Sequence, residues 1–192
     1  MMLWGYRMPF WIMHSGQKID IDNLSVDDIN LEDIGHHLTK TCRYGGGLDL
    51  KHHYSVANHS IALYYYAMDN NMPIEIQRGL LMHDATEAYL GDLNGILKRY
   101  LPDYLAIEQV FTDLITTKYR LPTDTMTNEI IHQLDKRILL DEANAFIPHH
   151  NGIFREQYTH LQPLGIKLYP EQDLHITKAM FLHCCNQLDI HD

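Results

Sequence analysis

Between Leu80 and Leu93 the chain reads LLMHDATEAYLGDL, and this run limits the folds open to it more than any other. It sets His83, Asp84, Glu87 and Asp92, four groups able to bind a metal or carry a proton, among Leu, Met, Ala and Tyr. Such crowding on an apolar element is costly unless a ligand neutralises it. If Pro73 opens a helix at its first position and Gly91 ends it, His83 and Glu87 stand four residues apart and Asp84 and Glu87 three, so all lean over one patch. Asp92 follows the Gly91 break, where the chain can turn its carboxylate back toward the same patch. A lone His-Asp pair arises often by chance; the run H-D-x-x-E-x(4)-D at a helix end is far more specific.

The 192 residues suit a single domain, 1–192, with a core over about 10–146 followed by an irregular segment and a C-terminal helix in 147–192. No run approaches the roughly 20 apolar residues of a membrane helix. The N-terminus lacks the cationic start and small-residue cleavage site of a signal peptide, so a soluble, cytoplasmic protein is expected. Three cysteines, with Cys184 and Cys185 adjacent, make a poor disulfide framework and read as packing residues in a reducing compartment. A net charge of -10 argues against broad nucleic-acid binding. An anionic substrate would need metals and a few local cations to reverse the field at its site.

Along the chain, Phe10, Ile12 and His14 alternate with Trp11 and Met13, Ser15-Gly16 marks a turn, and Lys18 and Asp20 alternate with Ile19 and Ile21: a small β-hairpin. Ile34, Leu38 and Cys42 form one stripe of a helix over Leu31 to Cys42 capped by Asn30, which Gly45, Gly46 and Gly47 end. The loop that follows carries Arg43, Lys51, His52 and His53, both histidines read as solvated. Ser55 caps a helix to about Asp69 that contains His59. Pro102 and Pro122 bound a helix with Ile107, Val110, Phe111, Leu114 and Ile115 as its buried face. Another runs from about Asn128 to Phe146, and Pro170 opens a last one with Leu174, Ile176, Met180, Phe181 and Leu188. The fold class is all-α, a compact helical bundle with a small N-terminal β-hairpin. His149, His150 and His183 are given no chemical role.

Asp135 stands apart, because Ile131, Leu134, Ile138 and Leu139 flank it at helical spacing and place it on or beside the buried stripe. An unpaired buried carboxylate costs several kcal/mol, so something must compensate it. A salt bridge or cap with a nearby Arg or Lys is one answer. A metal shared with His83, Asp84 and another His is the other.

Together these residues resemble the HD-domain metal-dependent phosphohydrolases, named for an H…HD…D metal site on an all-α bundle. The matching positions are His59, His83, Asp84 and Asp135. The phrases YSVANHS, LLMHDATEAYLGDLNGILKRYLP and LDKRILLDEANAF are similar to the compact branch that holds bacterial 5'-deoxynucleotidases and phage dATP triphosphohydrolases. The resemblance runs from the hairpin to about Phe146.

It implies that His59, His83, Asp84 and Asp135 bind Zn, Co, Mn, Fe or Ni, a mixed donor set that does not choose among them. Glu87 and Asp92 would activate the attacking water or hold a second divalent cation; otherwise they are a helix-surface carboxylate and a turn residue. Arg43 and Lys98 would contact phosphate, where solvated charges are the default. Trp11 and Met13 would clamp the base, unless Trp11 only anchors the hairpin. The implied reaction is hydrolysis of dATP to deoxyadenosine and triphosphate by water attack at the α phosphorus, which in a phage with 2-aminoadenine DNA would deplete dATP in the host cytoplasm. A 5'-deoxynucleotidase acting on monophosphates is the alternative, and a non-catalytic nucleotide-binding module a third reading. The resemblance also implies a homo-oligomer, dimer or hexamer.

Overall fold

A computed structural model describes residues 10–49, 51, 53–124, 128–147, 149, 152, 156, 158–168 and 173–192. The expected hairpin is β1 (Trp11–Ile12) and β2 (Lys18–Ile19), antiparallel with Trp11 opposite Ile19 and Ile12 opposite Lys18. Gly16 takes a φ of 88° in the turn, the left-handed region that glycine enters without a Cβ penalty. The hairpin is fastened to the first helix, α1 (Leu31–Lys40), by the Ser15 amide and hydroxyl, which donate to Asp33 at 2.8 and 2.6 Å, and by His14 stacked on His36. Met13 and Ile19 thereby enter the main core.

Helix α2 (Val56–Asp69) lies at the centre, touching α1, α3 (Ile74–Met82), α7 (Glu129–Phe146) and α8 (Leu174–Gln187). Its sequence explains the position, since apolar residues occur on nearly every side of it and nine of its residues are buried. Ser55 caps it as expected: its hydroxyl accepts from the Asn58 amide while the Asn58 side chain accepts from the Ser55 amide. Two short helices, α4 (Glu87–Leu90) and α5 (Gly95–Lys98), lead into α6 (Pro102–Tyr119). The main core joins the hairpin, α1, the first half of α2, Phe111 and Ile115 of α6, and Phe181, Cys184 and Cys185 of α8. A second cluster joins Leu63 and Ala67 of α2 to Ile76 and Leu80 of α3 and Ile131, Leu134 and Ile138 of α7. From the middle of α3, the Arg78 guanidinium ties down the ends of α6 and α8 by donating to the carbonyls of Tyr119 and Leu188, both at 2.6 Å. No helix among the described residues is long and apolar enough to cross a membrane.

The architecture matches the all-α expectation, with differences in detail. Pro73 is the cap before α3 rather than its first residue, and the helix expected to run unbroken to Gly91 stops at Met82. Helix α1 ends at Lys40, and Cys42 instead bridges to Ser55. Val110, Ile176 and Met180 face solvent, while Leu140 rather than Leu139 is buried. His53 is not solvated: its Nε2 lies 3.0 Å from the Thr39 carbonyl. In the irregular tail, the 161–168 stretch is strapped to α7, with Arg137 donating to the carbonyls of Gln162 and Pro163 and Asp141 accepting from the amides of Leu164 and Gly165. The readings on His52, Pro148, His150 and Pro170 fall outside the described residues. His149 and His183 are exposed.

Phe111 is fully buried and stacks on Tyr89 at 4.7 Å, joining α6 to α4. Phe111→Ala removes that contact and leaves a cavity, so it is expected to cost about 3–5 kcal/mol in urea unfolding. A loss below about 1 kcal/mol would show that α6 is not part of the cooperative core.

Candidate metal centre

The break in the α3–α4 run builds the site. After Met82 the amides of Ala85, Glu87 and Ala88 reach back three residues instead of four, tightening the backbone through His83–Thr86. His83 closes α3 with its own ring: Nδ1 lies 2.9 Å from the Leu80 carbonyl, one of those a helix end leaves without an amide partner. A carbonyl only accepts, so Nδ1 carries the proton and Nε2 presents a lone pair.

His59, on the first turns of α2, is fully buried and oriented in the same way. Its Nδ1 lies 2.6 Å from Oε1 of Glu142, so the carboxylate takes that hydrogen bond and Nε2 is again the free acceptor. The two Nε2 atoms stand 3.3 Å apart. Asp84 Oδ2 lies 3.2 Å from His83 Nε2 and 3.7 Å from His59 Nε2. From α7, Asp135 Oδ1 lies 3.1 Å from His59 Nε2 and 3.7 Å from His83 Nε2. His59, His83 and Asp84 each offer a donor atom within 4.8 Å of the other two.

Acceptors brought this close repel one another unless protons or a cation stand between them. Atoms bonded to one metal at about 2.0–2.2 Å stand roughly 3–3.5 Å apart, close to the His59, His83 and Asp84 separations, so these three could hold a metal ion, with Asp135 beside both imidazoles. Without a metal, protons fill the role. Burial lowers the pKa of His83, but Asp84 and Asp135 outweigh it and hold the imidazole well above its ordinary value. Asp84, despite burial, is held down at about 2 by His83, His59 and Arg43. Asp135 is likewise held well below the carboxylate range, its hydrogen bonds to the two imidazoles overcoming its burial.

Around this centre lie the other expected groups. Glu87, the first residue of α4, is buried, and its Oε2 has no hydrogen-bond partner. Burial, then Asp84 and Asp92, push its carboxyl up to about 10. Asp92 follows Gly91, whose φ of 78° ends α4, and burial raises its carboxyl too. Lys98 is held above its ordinary value despite burial, by Glu108 at 2.6 Å and by Glu87.

Arg43 is not a solvated loop charge. Backbone bonds from Arg43 to Tyr54 and from Val56 to Thr41 zip the end of α1 to the start of α2 and set its guanidinium beside His59. The guanidinium donates to Asp84 and Glu142, each at 3.3 Å, and its Nε has no partner.

Trp11 and Met13 are placed differently. Met13 is 3% exposed and belongs to the main core, and Trp11 is half-buried with its ring 6.4 Å from Phe111. Trp11 is linked to α4 through Phe111, which stacks on Tyr89. A cavity of about 650 Å³ between α2, the 164–168 stretch and Met180 is a separate feature, lined by none of the cation-site residues.

Glu142 is the site residue that sequence reasoning missed. It follows Asp135 by seven residues, two turns along the same face of α7, and that spacing was the available signal.

Titration with Mn, Co or Zn is expected to stabilise the protein, by about 2.7 kcal/mol when free metal reaches a hundred times its Kd. Asp84→Ala and Asp135→Ala should abolish the effect; bound metal retained in both would contradict the assignment. Because the raised imidazoles must shed their protons to bind, affinity should rise with pH, about tenfold per unit for each proton displaced. A pH-independent Kd below neutrality would place the metal elsewhere.

No family model matches the chain. It is 35% identical over 163 residues to the uncharacterized protein YfdR of Escherichia coli, a match covering 82% of this chain and 88% of that protein. It is 31% identical over 113 residues to an uncharacterized protein of Rhodobacter capsulatus, covering 57% of this chain and 58% of that one. On the first of these matches, the chain belongs to the family of Escherichia coli YfdR.

Proposed function

We propose that this chain is a metal-dependent phosphohydrolase that cleaves a deoxynucleotide with water. The observation that carries the reading is the pair of imidazole Nε2 atoms 3.3 Å apart, each with its Nδ1 already committed, beside two carboxylates. A divalent cation bound there supplies Lewis acidity toward a phosphoryl oxygen and lowers the pKa of a water.

The chain's own residues account for the rest. Asp84, Asp92, Asp135 and Glu142 outnumber Arg43, Lys98 being paired with Glu108, so the site admits a phosphate only once cations offset its acid surplus. Glu87 is buried next to Asp84 and Asp92 with one oxygen unpartnered; burial and those neighbours hold it protonated, and it would take a proton from water only once a cation offsets the neighbours' charge. A closed structural metal site has no use for such an acid beyond its four ligands, which favours an enzyme over a metal-stapled binding module. Arg43 and Lys98, paired with Asp84 and Glu142 and with Glu108, are the nearby cations that a phosphate chain would draw from those partners.

Within this class we take the substrate to be dATP, hydrolysed to deoxyadenosine and triphosphate. That choice rests on the similarity of the central phrase to the phage triphosphohydrolases.

A panel of deoxy and ribo triphosphates and monophosphates, each with Mn, Co and Zn, tests the proposal. Tripolyphosphate released from dATP is the expected product, and orthophosphate from dAMP alone would identify a 5'-deoxynucleotidase instead. No turnover of any nucleotide by the loaded protein would sink the reading. Glu87→Gln is expected to keep metal within about twofold and to lose about 10²–10⁴ in kcat. Unchanged kcat would remove Glu87 from the chemistry.

A further inference from the structure

Helix α7 carries two carboxylates on one face with different surroundings. Asp135 stands at the edge of the cation site with 30% of its side chain exposed, whereas Glu142 is fully enclosed behind His59. Each Glu142 oxygen has its own task. Oε1 takes the hydrogen bond of His59 Nδ1 at 2.6 Å. Oε2 accepts from the Tyr44 hydroxyl at 2.6 Å and from Arg43 Nη2 at 3.3 Å. Tyr44 holds a left-handed backbone, φ 57° and ψ 27°, a conformation costing an L residue about 1–2 kcal/mol. Burying a carboxylate is also expensive, and a well-packed apolar residue often replaces a buried ion pair without loss. Packing alone therefore does not call for an acid at this position.

We propose that Glu142 is a positioning residue that couples the two halves of the site: one oxygen fixes the His59 tautomer with Nε2 toward the cation, and the other holds the Arg43 guanidinium against Asp84. The proposal rests on reading His59, His83, Asp84 and Asp135 as a cation site.

The chemistry of an amide makes the coupling testable. Glutamine offers one acceptor and one donor, so Glu142→Gln satisfies only one side. Arg43 and the Tyr44 hydroxyl, both donors, claim the amide oxygen. The amide N–H then faces His59 and forces the tautomer with Nε2 protonated, which cannot ligate. With Arg43 replaced by Met, only the Tyr44 hydroxyl remains on that side, and since a hydroxyl can also accept from the amide N–H, the amide can turn its oxygen to His59.

Calorimetric titration with Zn and Mn is done on wild type, Glu142→Gln, Arg43→Met and the double variant, with circular dichroism to confirm folding. Glu142→Gln is expected to weaken metal binding about 10- to 100-fold in the wild-type background. The same change should cost less than about threefold in the Arg43→Met background, and that non-additivity is the signature of coupling. Additive losses, or a folded Glu142→Gln with unchanged affinity, overturn the proposal while leaving the cation site standing. A wild type that binds neither metal overturns both. Should Glu142→Gln not fold, nitrogen-15 NMR of zinc-loaded wild type decides: His59 protonated at Nδ1 and ligating through Nε2 supports the proposal, and ligation through Nδ1 overturns it.

Discussion

Two imidazole nitrogens that face each other as acceptors constrain much of this molecule. Their other nitrogens are committed, one to the Leu80 carbonyl and one to Glu142, so neither ring can turn to relieve the contact without breaking a buried hydrogen bond. Protons or a cation must sit between them. The fold is arranged to hold that conflict in place: α2 is pinned at its start by a capping box and a backbone zipper to α1, α3 is cut short so that His83 caps it, and α7 lies across both with Asp135. Moving any one of these helices by an ångström would change how the four groups share a ligand.

The helix break after Met82 follows from the same conflict. A regular helix from Ile74 to Leu90 would send His83, Asp84 and Glu87 out at fixed angles, with Asp84 about 100° around the axis from His83. The tightened backbone through Thr86 changes those angles, and both Asp84 and His83 reach His59. The run of apolar residues around the motif gave no sign of it, because Ala85 and Thr86 are compatible with either geometry. Gly91 was legible: a residue that must turn the chain with a φ of 78° is written as glycine.

What the sequence displayed was periodicity and caps. Asn30, Ser55, Asn128 and the apolar stripes they precede mark α1, α2 and α7 to within two residues at either end, since local hydrogen bonding and amphipathicity set those boundaries. The residues that come together at the candidate site were legible for a similar reason, as groups too polar for their surroundings. Glu142 and the burial of Arg43 were not, because each makes sense only through partners distant along the chain: Glu142 reads as an ordinary helical acid until His59 and Arg43 are placed against it. Met13 shows the opposite effect. Its alternation with Ile12 was readable, but whether its side of the hairpin faces a ligand or the core depends on how the hairpin docks on α1, and Asp33 and His36 fix that docking.

The charge balance then sets the order in which ligands enter. With Glu87 held protonated and Lys98 paired to Glu108, Asp84, Asp92, Asp135 and Glu142 face Arg43 in a field hostile to a phosphate, and the protein's net charge of -10 offers no relief at longer range. Arg43 does not correct this alone, because two of its nitrogens already serve Asp84 and Glu142. A divalent cation held by these residues, as proposed, would take the place of protons on the two imidazoles, with Asp84 and Asp135 engaged with it rather than with imidazolium. Such a charge would weaken the hold of Asp84 on Arg43 and its repulsion of Glu87, leaving the guanidinium freer and the Glu87 carboxyl easier to deprotonate. On the proposed function, a cation would therefore precede an anion, with Asp84 as the residue linking the two events.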